Sequence, residues 1–193
     1  MLRRESPGAV LSRMFDMHEE EIDGIEIATL GSFIPWGVHK DQGGDGSTYP
    51  EHSARILDVK SGQEAGLTYF ADFMAPKIRT PGVIAIVPSS DPAKKGPGII
   101  KLAKRLAALT PLSDATSALV RHTKIPKLGS GGSRDIQMHL DSIAVNSKLI
   151  VADRVFLLDD ILSTGNSMLA CRQLLEDAGA SEIICMALGR IAQ

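Results

Sequence analysis

The chain has 193 residues, 44% hydrophobic, 4% aromatic and 23% charged, so it can fill a core and is not disordered throughout. No apolar run reaches the ~18–20 residues that cross a bilayer, and the arginines near the N-terminus lead into no apolar stretch of the secretory kind. The net charge of -2 gives no global pull toward nucleic acid or membrane, and the two cysteines, Cys171 and Cys185, form no zinc cluster or disulfide framework alone. These features fit a single domain, residues 1–193, in a reducing cytoplasm.

Six acids and no Lys or Arg fall between Asp16 and Glu26. Gly24–Ile34 alternates loosely through Ile25, Ile27, Leu30 and Phe33 and predicts a strand. His39–Ser53 is rich in Gly, Asp, Ser and Pro and predicts a loop. Its His39, Asp41, Asp45 and His52 lack metal-ligand spacing on a regular element, so no metal site is assigned. Leu67, Phe70, Ala71 and Met74 recur at helical spacing before Pro76. Val83–Val87 is a continuous apolar run ended by Pro88 and reads as a buried parallel strand. Ile99, Leu102, Ala103 and Leu106 mark one face of a helix, and Ser117–Val120 predicts a short strand.

Arg121–Ser133 holds Pro126 and Gly129-Ser130-Gly131-Gly132 and predicts a mobile loop. Ser133 is placed to cap a helix carrying Ile136, Leu140 and Ile143. Val155–Leu158 is another buried strand. Met168, Cys171, Leu175 and Ala178 form a helical stripe closed by Gly179, and Ile183–Leu188 is a last strand. Strand–helix alternation of this kind predicts an α/β fold: a Rossmann-like, mostly parallel sheet with helices on both faces.

Nine Lys or Arg but one acid, Asp114, lie between Pro92 and Arg134, which suggests an anionic ligand. Lys101, Lys104 and Arg105 read equally well as the solvated face of a helix. The richest segment is Val155 to Ser167, where an apolar strand ends in Asp159 and Asp160. Ser163, Thr164, Gly165, Asn166 and Ser167 follow, and then a helix begins. Ligands of open α/β sheets bind beyond the carboxyl ends of strands. Backbone N–H groups at such a loop surround a phosphate, hydroxyls add donors, and glycine admits close approach. Two carboxylates beside a phosphate make sense if they accept from two neighbouring sugar hydroxyls or face a divalent cation. A phosphorylated ribose satisfies both halves. The alternative is a plain junction capped by Asp160 or Ser163.

This run resembles the 5-phosphoribosyl 1-diphosphate (PRPP) motif of type I phosphoribosyltransferases. The resemblance implies that Asp159 and Asp160 contact the ribose hydroxyls and that Ser163, Thr164, Gly165, Asn166 and Ser167 hold the 5-phosphate. Val87–Gly96 is similar to the loop for the diphosphate leaving group, which implies Ser89, Ser90, Lys94 and Lys95 as further PRPP contacts. Leu119–Arg134 is similar to the flexible catalytic loop of the ComF-like branch, with Arg121 and Lys127 as the implied catalytic cations. The four-cysteine zinc module of that branch is absent. Val59-Lys60-Ser61-Gly62 is similar to a segment of orotate phosphoribosyltransferases, and reads equally as a turn.

The family implies a hood, residues 1–75, over a PRPP-binding core, residues 76–193. It implies Mg²⁺ carried with PRPP, an unidentified small-molecule acceptor with a nucleophilic nitrogen, release of diphosphate, and a homodimer. Nucleic acid and membrane are not among the expected partners. The rival functions are a PRPP-binding regulator without transfer and a ComF-like accessory to DNA uptake.

Overall fold

The computed structural model describes residues 18–94, 97–126 and 136–192. Lys95, Lys127, Arg134 and the glycine-rich run 129–133 lie outside the described residues.

The sheet begins with a hairpin, β1 (His18–Ile22) and β2 (Ile25–Thr29). Its two-residue turn is Asp23-Gly24, both at positive φ (50° and 77°), the geometry that matches strand twist. The acids Glu19, Glu20 and Glu21 lie on this edge strand, where charge discourages further pairing. β3 (Ser32–Phe33) follows, so the predicted Gly24–Ile34 strand is two short ones.

The expected loop His39–Ser53 is corrected at both ends. α1 (Trp36–Asp41) and α2 (Glu51–Ser61) flank a shorter connection. Each starts right after a proline, Pro35 or Pro50, a composition that reads as loop although Pro suits a helix start. α3 (Glu64–Met74), β4 (Gly82–Ile86) and α4 (Pro97–Leu109) fall where the periodicity puts them.

After α4 the expectation for Ser117–Val120 needs correcting. The strand beside β4 is β5 (Leu112–Asp114). β6 (Leu119–Arg121) instead forms a separate antiparallel ribbon with β7 (Ile143–Val145). Ile143 therefore belongs to a strand, and the helix before it, α5 (Ile136–Leu140), is a single short one. β8 (Arg154–Leu162), α6 (Asn166–Asp177) and β9 (Glu182–Ile191) complete the chain.

The main sheet runs β1-β2-β9-β8-β4-β5, with β3 beside β9. All its pairs are parallel except β1–β2. The predicted α/β architecture is borne out. Alternation along β8 divides the core. Phe156 and Leu158 join Ile56, Val59, Leu67, Phe70, Met74, Leu102 and Leu106 of α2, α3 and α4. Val155 and Leu157 join Met168, Cys171 and Leu175 of α6 and Leu119 and Ile143 of the ribbon. Residues 51–74 thus share one core with the sheet. Each fully buried Leu or Phe adds about 1.5–3 kcal/mol. Among the described residues no helix is long and apolar enough to cross a membrane.

Candidate functional site

β4 ends sooner than its neighbour. Its last pair with β8 is Ile86 with Leu158, whereas β8 continues beside β9 to Leu162. The step opens a cleft of about 790 Å³ beyond the carboxyl end of β4, within the usual size of a small-molecule site. The strand does not end at the carboxylates, as the sequence suggests. Asp159 and Asp160 lie within β8, at the level where β4 has stopped.

Opposite β8–α6 lies the β4–α4 loop. It contributes Ser89, Ser90 and Lys94 to the lining, against Asp159, Asp160, Ser163, Thr164, Gly165 and Ser167 from the other side. Nine of the sequence-predicted PRPP contacts therefore share one cleft. Asn166 starts α6 and is not among the lining residues. Ile125 N–H donates to Ser90 O at 3.0 Å, and Lys124 Nζ lies 3.0 Å from Asp91 Oδ2. The segment after β6 is thereby tied to the β4–α4 loop. The Lys124 hydrogen bond holds the Asp91 carboxyl below the ordinary carboxylate value.

At the opposite corner, the turn into α6 depends on Gly165. Its φ of +87° is left-handed, and an added Cβ would sit 2.7 Å from Ile22 Cδ1. No side chain caps α6, so the capping alternative for Asp160 and Ser163 is not adopted.

The carboxylates differ because a strand sends neighbours to opposite faces. Asp160 Oδ2 pairs with Lys60 Nζ of α2 at 2.9 Å. Asp159 Oδ1 accepts the Asp160 N–H at 2.8 Å. Burial first, and then the Asp160 charge, push the Asp159 carboxyl up to about 8, against the pull of that N–H and of Lys60.

Lys60, singled out in the sequence only within Val59-Lys60-Ser61-Gly62 and not among the expected PRPP contacts, also lines the cleft. The helix end and the turn at Gly62 are in the sequence, but the approach of α2 to the cleft is tertiary. It rests on Gly98, where a Cβ would be 1.4 Å from Val59 O, so the end of α2 abuts the start of α4.

The expected place of Arg121 on a mobile loop is corrected. It lies in β6, only 4% exposed, and its Nε donates to Ser89 O at 2.7 Å. Arg121 lines a smaller cleft of about 310 Å³ on the far side of the β4–α4 loop. The other expected catalytic cation, Lys127, is outside the described residues.

Trp36, Tyr49, Tyr69 and Phe70 do not line the main cleft. Trp36 and Tyr69 are each 40% exposed, Phe70 is buried, and the Tyr49 hydroxyl donates to Ile34 O. His39 Nε2 meets Asp45 O and Thr48 Oγ1, and His52 Nε2 meets Leu188 O, so the two imidazoles serve separate contacts. The thiols of Cys171 and Cys185 are buried, and burial pushes that of Cys185 up to about 12, which leaves both inert.

Residues 98–190 match the family model of the phosphoribosyl transferase domain. A stretch of 56 residues is 39% identical to an adenine phosphoribosyltransferase of Thermosipho melanesiensis. It covers 29% of this chain and 28% of that protein, so the likeness spans little more than a quarter of the relative. The family match takes in α4, β8, the turn at Gly165 and α6, and it bears out the resemblance read from Val155–Ser167. The β4–α4 loop and Lys60 precede it.

Proposed function

We propose that the protein, whose residues 98–190 match the family model of the phosphoribosyl transferase domain, binds PRPP in the 790 Å³ cleft and transfers its phosphoribosyl group to a nitrogen of a small acceptor, releasing diphosphate. One observation carries the reading: the carboxylate pair with its hydroxyl-rich turn and the Ser89–Lys94 loop face each other across neighbouring strand ends.

In this reading Asp159 and Asp160 accept hydrogen bonds from two ribose hydroxyls. Ser163, Thr164 and Ser167 donate hydroxyls to the 5-phosphate, while Gly165 lets the backbone approach it. Ser89, Ser90 and Lys94, with Lys95 outside the described residues, receive the diphosphate. Breaking the bond from C1 to diphosphate gives an oxocarbenium-like sugar and a leaving group that gains charge, so Lys94 stabilises the transition state more than the ground state. Lys127 belongs to this proposal only as a cation of the segment that precedes α5. Arg121 acts from behind, by holding the Ser89 carbonyl.

The acidic oxygens in the cleft fit a divalent cation that arrives with the diphosphate. Among the described residues, no three His, Cys, Asp or Glu side chains gather to hold an ion unaided, and Mg²⁺ keeps several waters and binds through one or two carboxylates. When bound, Mg²⁺ neutralises charge on the departing diphosphate. Two buried free thiols suit the reducing cytoplasm proposed as its compartment, and the homodimer rests on the family resemblance.

The test supplies ribose-labelled PRPP, Mg²⁺ and a panel of free bases, adenine among them, and follows label transfer and diphosphate release. Transfer to one base with equal release of diphosphate is expected. Absence of both, in a folded protein that also fails to bind PRPP, overturns the reading.

A further inference from the structure

His139 lies in α5, only 1% exposed, between the two loops of the cleft and outside the lining. Its Nδ1 is 3.3 Å from a terminal nitrogen of the Arg121 guanidinium, and its Nε2 is 3.4 Å from Ser167 Oγ. Arg121 in turn donates from Nε to Ser89 O at 2.7 Å and makes a short contact with Ser142 Oγ. A chain of polar contacts thus runs from Ser89 through Arg121 and His139 to Ser167, and both ends line the cleft.

A guanidinium only donates, so Nδ1 must offer a lone pair to Arg121. That fixes a neutral imidazole with its proton on Nε2. The Nε2–H then donates to Ser167 Oγ, and the serine's own proton is left to point elsewhere. From these contacts we propose that His139 is a positioning residue: it orients the Ser167 hydroxyl as a donor into the phosphate turn and, through Arg121, ties that turn to the Ser89 loop. The inference rests on the phosphoribosyl reading of the cleft and adds to it a residue that touches no substrate.

The two imidazole nitrogens can be replaced one at a time. Asn at 139 puts an amide oxygen near the Nδ1 position and keeps the Arg121 contact, but is too short to reach Ser167. Gln at 139 carries an amide N–H to the Nε2 position. The experiment titrates ribose 5-phosphate, and separately inorganic diphosphate with Mg²⁺, into wild type, His139→Asn and His139→Gln. It also records the imidazole ¹⁵N–¹H correlations of the wild type.

The expected result is ribose 5-phosphate binding weakened about fivefold in His139→Asn, the size of one neutral hydrogen bond, and restored in His139→Gln. Diphosphate binding in His139→Asn stays at the wild-type level, and the wild-type imidazole carries its proton on Nε2. Equal ribose 5-phosphate affinity in wild type and His139→Asn, or a proton on Nδ1, overturns the role of His139 alone. A wild type that binds neither ligand overturns the function and this inference with it. Should His139→Asn fail to fold, the position of the proton and the behaviour of His139→Gln decide.

Discussion

Asp159 and Asp160 are bonded neighbours with opposite surroundings. Lys60 compensates Asp160, whereas Asp159 is desolvated on the α6 side of β8 and holds its proton up to about 8. The unfolded chain loses that proton near 3.8. Between the two values the folded protein binds a proton that the unfolded chain has released, so this group makes stability fall as pH rises from about 4 to 8. Asp159→Asn keeps the acceptor for the Asp160 N–H and removes the titration. In melts without ligand it should remove that pH slope and stabilise the protein at the alkaline end. The same substitution should weaken PRPP at least tenfold, because charge-assisted hydrogen bonds of roughly 1.5–3 kcal/mol each are lost. A parallel loss of stability and affinity would contradict this assignment. PRPP with Mg²⁺ favours the ionised carboxylate, so binding at neutral pH should release a proton. Binding heats in buffers of different ionisation enthalpy should differ for wild type and agree for Asp159→Asn.

At the scale of elements, the decisive feature is the turn between β8 and α6, closed by Gly165 under Ile22 of the edge hairpin. Gly165→Ala should cost about 1–2 kcal/mol from the left-handed backbone, plus whatever Ile22 resists. Ile22→Ala in the same chain should recover the steric part and leave the backbone part, measurable as a coupling in a double-mutant cycle. Independent effects would mean that the hairpin does not cover the turn. This turn was legible in the sequence because its apolar run, acids, hydroxyls and glycine are contiguous. β5, β7 and the ribbon pairing of β6 were not. These strands have three residues each, and their partners lie far along the chain, so no local period marks the pairing. α2 was hidden by the loop-like composition around Pro50 and by a core contribution of few apolar side chains, Ile56 and Val59 among them.

Across the whole molecule, β4 and β8 are adjacent although about seventy residues separate them, and this adjacency turns two loops into one cleft. The alternation of strands and helices implies such an order, since right-handed crossovers stack parallel strands. It does not say which helix end reaches the cleft, and so the pairing of Lys60 with Asp160 and the buried place of Arg121 became visible only in the fold. The central claim is that the two loops form one PRPP site. It is tested most directly by the thermal midpoint of the full chain with and without millimolar PRPP and Mg²⁺, in wild type and in Asp160→Asn. A ligand bound only to the native state adds about 2.7 kcal/mol at one hundred times its dissociation constant. The account predicts a clear rise in wild type and a much smaller one in Asp160→Asn. A wild-type midpoint that PRPP and Mg²⁺ leave unchanged would contradict it.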